Sequence, residues 1–385
     1  MFTRVVKFPQ NNSFFLFGAR GTGKTFLLKE RFEASQALYI DLLDPEQNET
    51  YSLRPQTLAE QIAALPKETD WIIIDEIQKA PKLLDLVHQQ IETSHFKFAL
   101  SGSSARKLKH GGANLLAGRA FVKHLFPLTT REIGERFSLE SALAWGTLPR
   151  LFLLNNPADK LDFLRAYTYT YLKEEITEEQ VVRRLEPFRR FLFVAAQMSG
   201  QIVNFSKIAR EVGASTPTVQ TYFEILEDTL VGFLLEPFHE SIRKRQRENP
   251  KFYFFDTGVQ RALSKTLTVE LRPHTYAFGL AFEHFVVNEI NRLQSYAGKD
   301  THISYLRTKD GVEIDVIVER PGLKRALIEI KSTERVTDDD LRGLQLLGKD
   351  ISNSEAFCFS LDPTAKKIGE VMCFPWQRGL EEIGL

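Results

Sequence analysis

Gly18-Ala19-Arg20-Gly21-Thr22-Gly23-Lys24-Thr25 constrains this chain more tightly than any other stretch, because only a few local folds give such a run a purpose. It fits G-x-x-x-x-G-K-[ST], and its flanks suit it. Ahead stands Phe14-Phe15-Leu16-Phe17, an apolar run of buried-strand type; behind comes Phe26-Leu27-Leu28-Lys29-Glu30-Arg31-Phe32, whose apolar residues recur at helical spacing. A strand, a glycine-rich loop and a helix in that order bring backbone N–H groups and a helix N-terminus onto an anionic phosphate chain. Lys24 is then expected to reach the β- and γ-phosphates, and the Thr25 hydroxyl to ligate Mg²⁺. The expected ligand is ATP with Mg²⁺, cradled by Gly18, Ala19, Arg20, Gly21, Thr22, Gly23, Lys24 and Thr25.

The partner of such a loop is a buried strand that ends in acid. Trp71-Ile72-Ile73-Ile74-Asp75-Glu76 supplies one, a continuous apolar run typical of a central parallel strand. Asp75 is expected to hold the Mg²⁺ shell and Glu76 to polarise an attacking water. A third strand, Lys97-Phe98-Ala99-Leu100, runs into Ser101-Gly102-Ser103-Ser104. A small polar residue at that tip can sense the γ-phosphate; Ser101 is the first choice and Ser103 the second.

Composition narrows the partners little. The 385 residues hold 50 Lys+Arg and 50 Asp+Glu, so any nucleic-acid surface must be a local patch. Cys358 and Cys373, the two cysteines, suit a reducing compartment and have no zinc-ligand spacing. The opening residues show no signal-like apolar stretch and no run is long enough to span a bilayer, so a cytoplasmic location away from membranes is expected.

A small polar residue on the strand after the acidic one resembles AAA+ ATPases. Asp75-Glu76-Ile77-Gln78 with Pro81, then Leu100-Ser101-Gly102-Ser103-Ser104, then Leu116-Ala117-Gly118-Arg119, are similar to a large bacterial and archaeal group of AAA-family ATPases. The group carries a C-terminal region of unknown function with a nuclease-like core and is distantly similar to origin-recognition and STAND-type ATPases. The resemblance implies that Arg119 is an arginine finger acting in trans within a homo-oligomer, with Arg106 as a rival; the plainer alternative is an ordinary surface arginine. Arg150, in Leu148-Pro149-Arg150, is a candidate second sensor.

Residues 156–255 read as a helical adaptor resembling a winged helix. Phe205 to Val212 forms a short helix closed by Gly213, and a second helix follows over residues 216–228 with a Ser or Thr cap and Pro217 in its first turn. Two helices joined in this way make a helix-turn-helix, and residues 230–238 resemble the first strand of a wing. The second helix brings no Lys or Arg, which speaks against base-specific readout. Arg243, Lys244, Arg245 and Arg247 are instead placed for sequence-independent contact with a DNA phosphate backbone, the alternative being a solvated loop. Arg183-Arg184 and Arg189-Arg190 add charge on an upstream helix.

In residues 256–385, Glu283 falls within a helical apolar stripe of Val286, Val287 and Ile290. Alternation in Val312 to Val318 sets Asp315 opposite a face of Ile314, Val316 and Val318, and Glu329 and Lys331 share one face of the next strand. A helical acid, a strand acid and E-x-K on the following strand resemble the PD-(D/E)xK nuclease fold. That resemblance implies that Glu283, Asp315 and Glu329 hold metal while Lys331 orients water and stabilises developing charge. Lys251-Phe252-Tyr253-Phe254-Phe255-Asp256-Thr257-Gly258 matches a further motif of the ATPase group, with no role visible beyond packing. Phe374-Pro375-Trp376 reads as a final strand and its stop.

The expected fold class is therefore α/β: an AAA+ P-loop ATPase domain (1–155), a helical and winged-helix-like domain (156–255) and a PD-(D/E)xK nuclease-like α/β domain (256–385). Two functions compete. One is a Mg-ATP-dependent ATPase acting on DNA recognised by shape; the other is a regulatory ATPase switch whose nuclease-like part is a protein scaffold.

Overall fold

The computed structural model describes residues 2–32, 37–104, 118–171, 185–239 and 249–385. Its first sheet has five strands: β1 Ser13–Phe17, β2 Ala37–Asp41, β3 Trp71–Asp75, β4 Lys97–Gly102 and β5 Ala120–His124. They run in the order β2-β3-β4-β1-β5, with every recorded pairing parallel. β1 and β3 are inner strands covered on both faces, which is why both are apolar without alternation. Phe15, Ile72, Ile74 and Phe98 line one face of the sheet, while Phe14, Leu16, Ile73 and Ala99 line the other. The expected strands and the helix Lys24–Arg31 are all present, and their C-terminal tips share one edge.

A helical region follows. The helices Leu185–Gln197, Phe205–Val212 and Thr216–Asp228 pack through Phe191, Ile208, Val219, Phe223 and Leu226. Gly213 closes the second at φ 71°, and the Ser215 hydroxyl caps the third by accepting from Thr218 N at 3.3 Å, as the sequence predicts. The chain then enters β6 Gly232–Pro237, which pairs antiparallel with β7 Lys251–Phe254.

This hairpin also continues a second sheet. β8 His302–Arg307, β9 Glu313–Glu319, β10 Arg325–Lys331, β11 Ser354–Ser360, β12 Lys366–Ile368 and β13 Val371–Pro375 complete eight strands, ordered β12-β13-β11-β10-β9-β8-β6-β7. The helix Tyr276–Ala297 covers one face through Phe278, Phe282, Phe285 and Ile290, capped by Thr275. Two details differ from the expected pattern. Ile314 packs with Ile317 on one side of the sheet, while Val316 and Val318 pack on the other. The cause is a shift in register, since Ser304 faces Ile317 but Leu306 faces Ile314. One extra residue on β9 makes a bulge beside Asp315. Trp376 also begins a further helix, Trp376–Glu382, and its indole packs against Phe137, Phe282 and Phe285.

Buried charge joins the two sheets. Arg292, 2% exposed, donates to Leu128 O (3.1 Å), Thr147 Oγ1 (2.9 Å), Phe255 O (2.6 Å) and Glu289 Oε1 (3.3 Å). Glu289 accepts from Thr130 N and Oγ1, and Asp256 accepts from Thr147 N at 2.7 Å. Arg4 ties the phosphate loop into the same seam: it donates to Thr22 O at 3.0 Å, Glu132 Oε1 at 3.0 Å and Tyr296 Oη at 3.3 Å. Each acceptor would be costly to bury without these donors.

Candidate functional site

β1 ends between β4 and β5, so the glycine-rich loop leaves the sheet through a narrow gap. Gly18 N donates to Gly102 O at 3.3 Å, and a Cβ on Gly18 would stand 2.4 Å from Leu125 O. A side chain there would push the loop off the strand tips. Gly21 (φ 81°) and Gly23 (φ 96°) adopt the left-handed conformation that turns the loop into the helix. The Thr22 hydroxyl donates to Ala19 O at 2.8 Å. Lys24 is buried; its Nζ donates to Gly18 O at 2.7 Å and lies 4.0 Å from Glu76 Oε1. Thr25 follows in the first turn, half-buried, and the Arg20 carbonyl accepts from Tyr167 Oη at 2.8 Å. These residues fit a triphosphate with its Mg²⁺: the loop is shaped by glycine, one cation is held inside it, and a hydroxyl sits at the helix start.

The acids stand opposite. Asp75 is fully buried at the tip of β3 and accepts from the Ser101 hydroxyl and from Tyr39 Oη, the latter at 2.8 Å. Burial and the Asp75 carboxylate push the Tyr39 phenol well up, so it remains a donor. Glu76 has φ 60°, rare for a side-chain-bearing residue, and its backbone N donates to Ser101 Oγ at 3.3 Å. Its carboxylate accepts from Gln78 Nε2, which also donates to Ser103 Oγ at 3.2 Å. Ser101 therefore bears on Asp75, and Ser103 on Glu76 through Gln78. Arg119 is exposed just before β5 and pairs with Glu92 of the helix Leu83–Thr93, drawing that carboxyl below its usual range. Arg150 begins beside the loop, since Pro149 Cγ lies 3.9 Å from where a Cβ on Gly23 would stand; its guanidinium lies 5.8 Å from the Phe163 ring.

A second polar cluster lies on the eight-stranded sheet. Pairing of β9 with β10 stops after Val316 and Ile328, and the Asp315 carboxylate takes the next ladder donor, Ile330 N, at 2.7 Å. Lys331 Nζ lies 2.7 Å from Glu329 Oε1, whereas Glu329 Oε2 is buried without a hydrogen-bond partner. Glu283 Oε1 accepts from Tyr253 Oη at 2.8 Å and lies 3.5 Å from Lys251 Nζ, which also pairs with Glu313. Burial, Glu329 and Glu283 raise the Asp315 carboxyl well above its ordinary range; burial raises Glu329 too, against the pull of Lys331. Burial works against charge on Lys251, yet Glu283, Asp315 and Glu313 hold its ammonium above the usual value. The four expected residues thus share one electrostatic cluster. Among the described residues, however, no three His, Cys, Asp or Glu side chains are placed as a metal-ligand group. The orphaned Glu329 oxygen and the crowding of acids that raises the Asp315 carboxyl do fit a site that would accept a cation.

Tyr39 and Arg4 stand out in no sequence motif, and Gln78, Lys251 and Tyr253 lie in motifs but carried no site role in the sequence. Tyr39 reaches Asp75 only because β2 pairs with β3, which no local pattern reveals. Lys251 and Tyr253 carried a signal: polar residues two apart in an aromatic strand, with Phe252 and Phe254 on the opposite face. Asp256 of the same motif caps the helix Thr257–Leu263. Arg106, Arg183, Arg184, Arg243, Lys244, Arg245 and Arg247 lie outside the described residues.

Comparison with known proteins bears on the region that carries the first of these clusters. Residues 10–134 match the family described as AAA domain, which supports an AAA-type P-loop ATPase reading of the five-stranded unit. Residues 136–270 and 278–378 match two families described as Domain of unknown function (DUF8612) and Domain of unknown function (DUF4143). The chain is similar to uncharacterized protein Mb2031c of Mycobacterium bovis, 28% identical over 83% of this chain and 70% of that protein. It is also similar to uncharacterized protein MJ1544 of Methanocaldococcus jannaschii, 22% identical over 86% of this chain and 78% of the relative. An uncharacterized protein of Haemophilus influenzae is 22% identical over 63% of this chain and 67% of its own length. Among the described residues no helix is long and apolar enough to cross a membrane.

Proposed function

We propose that the chain is a Mg-ATP-dependent ATPase acting on DNA, and that its C-terminal domain is a PD-(D/E)xK-like fold that binds or cleaves DNA. One observation carries the ATPase half: Lys24, Asp75, Glu76 and Ser101 converge from the tips of β1, β3 and β4 around a glycine-shaped loop. Bound Mg²⁺ supplies charge neutralisation at the phosphates. The side chains do the rest: Lys24 meets the terminal phosphates, Thr25 and Asp75 hold the metal shell, Ser101 orients Asp75, and Glu76 takes a proton from water. Arg119 is assigned the trans-acting role in a homo-oligomer, where a neighbour's loop would exchange with Glu92 for its guanidinium.

The division of labour follows residues 1–155, 156–255 and 256–385. The middle region is read as a winged helix whose segment with Arg243, Lys244, Arg245 and Arg247 holds the DNA backbone, so DNA is selected by shape. Glu283, Asp315 and Glu329 are assigned to metal, and Lys331 to the attacking water. A scaffold reading, with no cleavage, draws support from the lysines that already pair with Glu283 and Glu329.

The test is ATP turnover measured together with salt-dependent binding to single-stranded, duplex and four-way-junction DNA. Lys24→Ala is expected to lose nucleotide binding, and Glu76→Gln to bind ATP but turn over about 100-fold more slowly. Full turnover in Glu76→Gln removes that base. Absence of salt-dependent binding to all three DNAs, with no Mg²⁺-dependent nicking, leaves the scaffold reading.

A further inference from the structure

β7 gives the acid cluster a cation of its own. Lys251 is 3% exposed, pairs with Glu313 and lies 3.5 Å from Glu283 Oε1. Tyr253, two residues on and on the same face, donates to that same Glu283 oxygen at 2.8 Å. The Tyr305 ring lies 5.5 Å from the ammonium and closes it off further. Four carboxylates (Glu283, Glu313, Asp315 and Glu329) face Lys251 and Lys331, with Arg307 reaching Glu313 at 3.7 Å. Glu329 Oε2, on a residue only 8% exposed, has no hydrogen-bond partner.

We propose that Lys251 is a resident counter-cation that competes with a divalent metal ion for Glu283 and Asp315. The inference rests on the hydrolytic reading of Glu283, Asp315 and Glu329, and says how that site is controlled. An ammonium at the Glu283 oxygen covers the lone pairs a metal needs. A divalent ion bound at about 2 Å from that oxygen would also lie within about 6 Å of the ammonium, where like charges in a poorly hydrated site repel strongly. Lys251 cannot turn aside into water alone, because its whole side chain is enclosed. β7 is the last strand of the sheet, paired with β6 and bridged at Lys251 to Ile202 beside the helical region. β7 is also tied to the helix that carries Glu283, because Phe254 O accepts from His284 Nε2 at 2.6 Å and from Asn288 Nδ2 at 3.1 Å, so the ammonium is held at the acid cluster.

The experiment titrates Mn²⁺ alone into the nucleotide-free full chain and reads free metal by electron paramagnetic resonance. Lys251→Met is expected to bind one Mn²⁺ at least tenfold more tightly than the parent, while Lys251→Arg behaves as the parent. Adding Asp315→Asn to Lys251→Met should cancel the gain, which places the metal at this cluster. Should the methionine variant fail to fold without metal, Lys251→Gln keeps a donor for Glu313 and carries the same expectation, with a larger Mn²⁺-induced rise in melting temperature than the parent. A buried ion pair with a purely structural role would not produce that ordering. Folded Lys251→Met or Lys251→Gln protein that binds Mn²⁺ no more tightly than the parent overturns the inference. Nicking of supercoiled DNA, followed in the same samples, separates the two ideas. Tighter metal without nicking in any variant keeps the role of Lys251 and ends the hydrolytic reading, whereas nicking by the parent with unchanged affinities does the reverse.

Discussion

Arg292 offers the sharpest test of how the two sheets are held together. Its guanidinium is buried and satisfies two carbonyls, a hydroxyl and the Glu289 carboxylate. Arg292→Met keeps much of the volume and removes every donor. Losing one partner of a buried ion pair costs about 3–5 kcal/mol, because the other charge stays behind without compensation. Some relief comes from Glu289, whose carboxyl is already raised by burial and lowered by Arg292; without the arginine it takes up a proton more readily. A loss of about 4 kcal/mol is therefore expected in urea unfolding at neutral pH. Glu289→Gln keeps an acceptor for Thr130 while removing the charge, so the double variant should recover about 1–2 kcal/mol relative to additivity. A loss below about 1 kcal/mol in Arg292→Met, or strict additivity in the double variant, would refute the account.

Two further outcomes follow from particular side chains. Glu227 is half-buried, and burial raises its carboxyl while Leu234 N, donating at 2.9 Å, lowers it. A raised folded-state value means this group favours folding fully below about pH 4, and that the contribution is lost as pH rises through the raised value. Glu227→Gln should then be the more stable chain at pH 7–8 and lose that advantage near pH 4; equal stability across the range would contradict it. Gly258 lies in the first turn of the helix Thr257–Leu263, where an added Cβ would stand 1.8 Å from Trp145 O. Gly258→Ala must shift backbone and is expected to cost about 3 kcal/mol by chemical denaturation; a neutral result would mean that the helix does not approach Trp145 so closely.

Local pattern made the candidate nucleotide site legible. Gly18 to Thr25, the apolar run into Asp75, and Ser101 at the next strand tip each combine a residue type with a neighbourhood, and sequence carries both. The same holds for Gly213, Ser215 and the alternation that pairs Glu329 with Lys331. Long-range registers were hidden. Tyr39 meets Asp75 because β2 lies beside β3, and Arg292 meets Phe255, Thr147 and Leu128 because three segments far apart in the chain close over one helix.

What the sequence determined by itself was chemistry that resides in consecutive residues: a loop that only glycine can turn, a lysine at a helix start, an acid at the end of a buried strand. Tertiary structure alone decided which charges far apart in the chain neutralise one another. Lys251 reads as part of a packing motif until β7 joins the sheet edge and sets it against Glu283 and Glu313. The physical reason is that backbone conformation is a local property, whereas the cost of a buried charge depends on whatever the rest of the chain brings within a few ångströms of it.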